Sequence, residues 1–457
     1  MESQHRRLRT RRGPVGRFLL HTWHLVLHAS TPLAKPLTAP RGWYQQHADR
    51  FPHIPTPRLP RLRSPARAWT GSSPEPPLEL RTTPGIRRDP RREDEAARTA
   101  PLQFFFKLHA EAMGAVVPYM WPAIVASAPR VSRSDRRLRA ARRDQRPAAA
   151  PPMSPDELTA ALKAKAAELG ISAVGIARHD PNYTFAQFAG RNVGDRVVVC
   201  ILEQNYGSTQ LIPSERSERA ALATYGQLED RLVELSSWLQ ERGYRARPED
   251  YIGESMFIHY AVAAGLGQLG LNGQLLTPQA GSRCRINVLT TDAPLEFDAP
   301  VDYGIEGVCD RCQACVRRCP VGAIPAVRKE HRGVVKAKLN TKRCLPIVTQ
   351  AAGCSVCMKV CPVQMYGLTE VLEHYSSTGT IKGVHSDELE GFDWPLDGRH
   401  YRPGEKPRVP TKLVQPPGFR FDPHRTLPAA GTSAASAPVP WAVATETAST
   451  AEDALPH

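Results

Sequence analysis

Apolar positions are scattered through the first third of this chain and fall into regular helix and strand periods from Ser154 onward. Ser154-Pro155-Asp156-Glu157 has the form of a capping box with proline at the first helical position. It predicts a helix to about Leu169, stopped by Gly170. Ala173 to Ala177 and Arg196 to Leu202 are short, almost uninterrupted apolar runs, which predicts buried strands. Leu222, Leu228, Leu232, Leu235 and Leu239 recur at helical spacing, so Arg219 to Arg242 reads as a long amphipathic helix ended by Gly243. Phe257 to Ala264 looks helical, and Arg285 to Thr291 reads as a further strand. Strands alternating with helices predict a layered α/β domain over residues 153–300.

The flanks lack such periods. Residues 1–100 are rich in Arg and Pro and are expected to form a disordered basic tail, with a linker or lid segment over 101–152. Leu102 to Ala126 is apolar, but Lys107, His109, Glu111, Pro118 and Pro122 interrupt it, so no membrane span is expected there. Residues 371–430 are expected to pack on the core as an extension, and 431–457, rich in Ala, Ser, Thr and Pro, to form a second disordered tail. Charge sharpens this division. The first 150 residues hold 28 Lys and Arg against 11 Asp and Glu, whereas the other 307 hold 32 against 34. The net charge of +15 therefore belongs to the tail, and no nucleic-acid partner is expected for the core. Thr10-Arg11-Arg12 ahead of Phe18-Leu19-Leu20 has part of the form of a twin-arginine export signal. Gly13 and Pro14 break that form, which favours a plain basic tail.

Cysteine spacing changes the picture most. Cys309, Cys312, Cys315 and Cys319 run as C-x2-C-x2-C-x3-C before Pro320, and Cys354, Cys357 and Cys361 precede Pro362. Three thiolates two residues apart wrap a loop around one face of an iron–sulfur cube, and the fourth, ahead of proline, reaches the neighbouring cube. Two 4Fe-4S clusters follow. The crossing-over of distal cysteines groups Cys309, Cys312, Cys315 and Cys361 on one cluster. Cys319, Cys354 and Cys357 need a fourth ligand, and Cys344 in Lys342-Arg343-Cys344-Leu345 supplies it. Zinc ribbons, the rival reading, have no use for a third cysteine and a C-P ending. The remaining two, Cys200 and Cys284, read as packing residues, although Arg283 and Arg285 flank Cys284 and could lower its thiol pKa. Clusters are assembled in a reducing compartment, which places folding in the cytoplasm.

Gly265-Leu266-Gly267-Gln268-Leu269-Gly270 matches the G-x-G-x-x-G of dinucleotide folds. That fingerprint needs a strand directly before it and a helix after it, whereas a helical segment precedes this one and Asn272-Gly273 reads as a turn. The glycines are expected instead to allow close approach to another large ligand.

This glycine segment through Gly273, followed by Leu276-Thr277-Pro278-Gln279-Ala280-Gly281-Ser282-Arg283, Thr291-Asp292-Ala293-Pro294-Leu295 and the two cysteine runs, resembles the corrinoid-dependent reductive dehalogenases. It is similar, more distantly, to the epoxyqueuosine reductases of the same superfamily. The likeness covers residues 153–405. It implies a nitroreductase-like, cobalamin-binding α/β domain followed by a ferredoxin-like double-cluster domain over residues 301–370. It also implies a base-off cobalamin held near Gly265, Gly267, Gly270, Asn272 and Gly273, with one cluster close to the corrin. The chain has no D-x-H-x-x-G, so no histidine of the usual kind is offered to cobalt. Carried over from the dehalogenases, Tyr225 is the proton donor and Arg283 its cationic partner. The implied partners are a small organic substrate and an external electron donor such as ferredoxin, flavodoxin or a reductase.

Two other functions compete. Epoxyqueuosine reductases use an aspartate shortly before the glycine segment, where this chain offers Asp250, Tyr251 and Glu254 in Asp250-Tyr251-Ile252-Gly253-Glu254-Ser255. A plain electron carrier would use the large domain only as a docking surface.

Overall fold

The computed structural model describes residues 74–89, 133–143 and 151–409, apart from 135, 186, 187 and 252. The twin-arginine-like segment, Leu102 to Ala126 and the C-terminal tail lie outside these residues.

Helix α1 (Pro155–Glu168) opens on the predicted capping box, with the Ser154 side chain accepting from the Glu157 amide. Four strands form the main sheet: β1 (Ala173–Arg178), β2 (Arg196–Glu203), β3 (Ala246–Pro248) and, later in the chain, a strand over Cys284–Thr291. Their order is β1, β2, the Cys284–Thr291 strand, then β3. Helix α2 (Tyr206–Gln210), helix α3 (Glu215–Gln240) and helix α4 (Phe257–Ala263) lie between β2 and Cys284. One face of the sheet, with Val198, Cys200 and Leu289, packs on Leu158, Leu162, Leu228, Leu232 and Leu239 of α1 and α3. The other, with Val197, Val199, Ile201 and Val288, packs on Tyr260, Ala261 and Val262 of α4. Burial on both faces explains why the strands are apolar without alternation.

The α/β expectation holds as a mixed helix–sheet layering. All three strand pairings are antiparallel, Cys200 facing Val174 on one side and Asn287 on the other. Alternating helices and strands give parallel pairs only when each helix carries the chain back to the same end of the sheet, which these connections do not.

Residues 74–89, within the expected basic tail, form a strap that packs on the cluster domain. Leu80 is fully buried in the cluster-domain core, and a Cβ on Gly307 would lie only 2.3 Å from the Leu80 carbonyl oxygen. Arg87 pairs with Glu306 at 2.9 Å, Arg88 pairs with Asp180, and the Val335 amide donates to the Arg87 carbonyl. These contacts are long-range, so the local sequence of the strap carries no period that announces them.

Residues 133–143, within the expected linker, include helical positions that lie along α3. Ser134 Oγ donates to the Gly226 carbonyl at 3.1 Å, Arg137 pairs with Asp230 at 2.8 Å, and Arg142 donates to the Pro248 carbonyl at 2.7 Å. No helix among the described residues is long and apolar enough to cross a membrane.

Candidate redox centre

The cysteine-bearing segment folds as short helices joined by tight reversals. Helix α5 (Ile305–Cys312) carries Cys309 and Cys312, and helix α6 (Ala314–Arg318) carries Cys315. Between them Gln313 takes a left-handed conformation, φ 47°, which turns the chain within one residue. Ala352, Cys354 and Ser355 do the same at φ 47°, 44° and 54°. Cys361 is the N-cap of a helix over Pro362–Tyr366, with Pro362 at its first position.

These loops bring the thiols together in two sets. Cys309, Cys312, Cys315 and Cys361 line one pocket together with Leu271, Leu276, Val308, Val360 and Val363. Cys319, Cys344, Cys354 and Cys357 are close enough to perturb one another's ionisation. Cys357 lines the first cavity too and feels Cys361, so the sets adjoin. Both groupings are those predicted from spacing.

Burial pushes the thiols up, Cys309 to about 11 and Cys312, Cys344 and Cys354 to about 12. Backbone amides oppose this in part: Leu271 at Cys309, Ala314 at Cys312, and Gln364 and Val363 at Cys361. The Ala323 amide donates to the Cys319 sulfur at 3.2 Å. Donors aimed at sulfur suit thiolates that a bound metal keeps deprotonated.

The glycine segment lies on this cavity. Helix α4 and not a strand precedes it, and a two-stranded ribbon, Gln268–Leu269 paired with Leu275–Leu276, follows its first two glycines, which removes the dinucleotide reading. A Cβ would stand 2.5 Å from the Ala299 oxygen at Gly265, 2.3 Å from the Leu276 oxygen at Gly267 and 2.6 Å from Asn272 Oδ1 at Gly270. These glycines thus allow close approach of the protein's own backbone. Gly273, at φ 73°, has only Ala337 and Leu339 atoms near 4 Å. Asn272 lines the cluster cavity, and its Oδ1 accepts from the Gln274 amide.

Tyr225 and Arg283 are not brought together as the sequence suggested. Tyr225, half-buried on α3, packs at a tilt against Tyr251 with ring centroids 5.1 Å apart, and the cation above its ring, at 5.0 Å, is Arg285. Arg283 is fully buried and turns elsewhere. It pairs with Glu203, donates to the Gln204 carbonyl at 3.1 Å and to Gln364 Oε1 at 3.2 Å, and lies 5.0 Å from the Tyr206 ring. Side chains two apart on a strand share a face, so sequence alone could not choose between Arg283 and Arg285. Around them Gln204 Oε1, Gln210 Oε1, Ser282 Oγ, Arg285 Nε and Asn287 Nδ2 are buried polar atoms with no hydrogen-bond partner among the described residues.

The Asp250 loop reaches the same site through Tyr251 but holds its acids in ion pairs. Asp250 faces Arg142 at 3.3 Å. Burial raises Glu254, but Arg247, Arg142 and Arg191 outweigh it and hold its carboxyl below the usual range. Glu249, which the sequence did not single out, is pushed up to about 7 by burial and by Glu254, while the Glu254 amide and Ser255 Oγ donate to its carboxyl.

Fold and thiols together define a protein built around a 4Fe-4S dicluster domain, whose family model matches residues 308–365. The relatives it resembles are more particular. Tetrachloroethene reductive dehalogenase of Sulfurospirillum multivorans is 31% identical over 185 residues, 37% of this chain and 36% of the relative. The enzyme of that name from Desulfitobacterium hafniense is 29% identical over 206 residues, 42% of this chain and 36% of the relative. Epoxyqueuosine reductase of a Synechococcus species is 33% identical over 142 residues, 30% of this chain and 43% of the relative. The matched segment thus spans well under half of each of these relatives. Two solved reductive dehalogenases share the fold. One, bound to 3-bromo-4-hydroxybenzoic acid, has a TM-score of 0.53 at 20% identity, over 73% of this chain and 55% of that one. The other, interpreted in terms of B12-dependent dehalogenation, has a TM-score of 0.55 at 21% identity and the same coverage. The chain is thus similar in sequence to reductive dehalogenases and to epoxyqueuosine reductases, and it shares its fold with reductive dehalogenases.

Proposed function

We propose that this chain is an iron–sulfur oxidoreductase that cleaves a carbon–halogen bond reductively, with two 4Fe-4S clusters and a corrinoid. The observation that carries the reading is the pair of adjoining four-thiol sets, the inner one roofed by the glycine segment and tied to the sheet through Gln364. Adjoining clusters conduct single electrons, and a sheet domain with a polar site at one end gives those electrons a substrate.

Cys319, Cys344, Cys354 and Cys357 hold the outer cluster, and Cys309, Cys312, Cys315 and Cys361 the inner one. An external donor such as ferredoxin, flavodoxin or a reductase supplies two electrons, one at a time. The net change is balanced by one proton: the carbon–halogen bond breaks, a carbon–hydrogen bond forms, and halide leaves. Tyr225 Oη gives that proton, and Arg285, not Arg283, is the cation beside it, where it favours the phenolate left behind. Tyr251 packs against the same ring and keeps the phenol in place.

A corrinoid presents many amides, and the buried, unmatched polar atoms of Gln204, Gln210, Ser282 and Asn287 fit such a ligand. When bound, it supplies a low-valent cobalt able to deliver electrons to carbon. The helix–sheet–helix layering is read here as the nitroreductase-like domain of that family. Asp250 and Glu254 are tied to arginines, which argues against their serving as the acid of an epoxide reductase.

Anaerobic reconstitution with iron, sulfide and cobalamin tests the reading. The expected result is a cluster-loaded protein that retains corrinoid through gel filtration and releases halide from a haloaromatic or haloalkene. Tyr225→Phe should bind corrinoid normally and lose about 10²–10⁴ in rate. A fully cluster-loaded protein that retains no corrinoid would refute it.

A further inference from the structure

Arg283 is a buried charge that the proposed chemistry does not use, and its partners point toward the inner cluster. Its Nη1 meets the Glu203 carboxylate, and its Nε donates to Gln364 Oε1 at 3.2 Å. Gln364 is itself fully buried and fixed at both ends of its amide. Oε1 also accepts from Gln210 Nε2 at 3.2 Å, and Nε2 donates to the Lys359 carbonyl at 3.1 Å. The backbone of Gln364 is held as firmly, since a Cβ on Gly281 would lie 2.6 Å from its nitrogen. That nitrogen belongs to one of the two amides that favour the Cys361 thiolate, and Cys361 closes the inner thiol set. Glu203, Arg283, Gln364 and Cys361 therefore form one connected line from the end of β2 to a cluster sulfur.

We propose that Arg283, acting through Gln364, is a positioning residue that sets the reduction potential of the inner cluster, with Glu203 as its electrostatic counterweight. This rests on reading the cavity of Cys309, Cys312, Cys315 and Cys361 as a cluster site. Hydrogen bonding at the sulfurs and nearby charge are the levers a protein has on such a potential, and both act strongly where water is excluded. Adding an electron makes the cluster more negative. A guanidinium one side chain away lowers the cost of that step, and a carboxylate raises it.

Opposite signs separate this role from a merely structural one. In EPR-monitored redox titrations of the full, reconstituted chain without corrinoid or substrate, Arg283→Gln leaves Glu203 unopposed. The inner-cluster reduction equilibrium should fall about tenfold, which is about 59 mV lower for one electron. Glu203→Gln should shift it upward by a similar factor, and Gln364→Met downward by less. The outer cluster should move less than twofold in all three. Inner-cluster shifts of the same sign in Arg283→Gln and Glu203→Gln, or no shift in either, would overturn the proposal. Should Arg283→Gln fail to hold iron, Glu203→Gln decides alone: an upward shift supports the role and an unchanged potential refutes it. A wild-type chain without any four-iron signal removes the cluster reading first, and this role with it.

Discussion

The sheet half and the cluster half of the described chain bury their interiors in different currencies. In the sheet half, aliphatic side chains of β1, β2 and the Cys284–Thr291 strand meet helices on both faces, and α3 alone runs 26 residues. In the cluster half, helices of eight, five, four and five residues are joined by left-handed turns at Gln313, Cys354 and Ser355. Eight thiols stand within a core that also holds Leu80, Ile305, Val308, Val363, Leu368 and Trp394. Short helices with left-handed junctions do not persist alone. The difference teaches that side-chain packing supports the first half, while the second adds thiols that metal binding would tie together, so the two should respond differently to metal removal.

Iron removal should separate them most. A chelator under reducing conditions is expected to make residues 301–366 susceptible to protease while the sheet half survives as a resistant fragment; limited proteolysis with mass mapping reads this out. Cys344→Ser sharpens the test. It should lower bound iron from about eight to about four atoms per chain if the two thiol sets hold separate four-iron clusters. Loss of all iron would show that the sets assemble as one unit.

Leu80→Ala ranks next. Leu80 is fully buried, in the cluster-half core, although it comes from the strap. Truncation should cost about 2–5 kcal/mol. By hydrogen exchange the loss should appear in α5 and spare β1 and β2. A uniform loss across both halves would mean that they melt together.

The halves also differed in how openly the sequence declared them. Spacing sufficed for Cys309, Cys312 and Cys315 because ligand geometry there is local, whereas Cys361 came from the crossing-over of distal cysteines in two-cluster ferredoxins. Cys344 came from counting ligands. The two long strands and α3 followed from apolar runs and leucine spacing. The strap at Leu80, the antiparallel pairing and the choice of Arg285 over Arg283 beside Tyr225 were illegible for one reason: each depends on contacts between segments far apart in the chain. Glu249 escaped notice likewise, since nothing in Pro248-Glu249-Asp250 distinguishes a buried carboxyl from a solvated one.

Glu249 gives the next effect. Its folded pKa, raised to about 7 from the ordinary 4.5, means that the folded chain holds a proton there which the unfolded chain has lost. Between about pH 4.5 and 7 this group's contribution to stability should therefore fall as pH rises, and it should be flat above. Glu249→Gln removes that dependence. It should stabilise the sheet half at pH 8 by on the order of 2 kcal/mol and leave it little changed at pH 4.5. Denaturant titrations at the two pH values read the difference; equal effects at both would assign the change to lost hydrogen bonds at Ser255.

The smallest effect separates cysteines by half. Cys284 reads from the sequence as a packing residue although Arg283 and Arg285 flank it, and burial outweighs both arginines and pushes its thiol up to about 12. At neutral pH such a thiol is protonated and shielded, a packing side chain like Cys200. Cys284→Ala should therefore leave bound iron and both reduction potentials unchanged and cost about 1 kcal/mol for the lost packing. In the native wild-type chain an alkylating reagent should label Cys284 no faster than global unfolding exposes it. Rapid labelling of the folded protein, or loss of iron in Cys284→Ala, would put this thiol on the cluster side of the division rather than the sheet side.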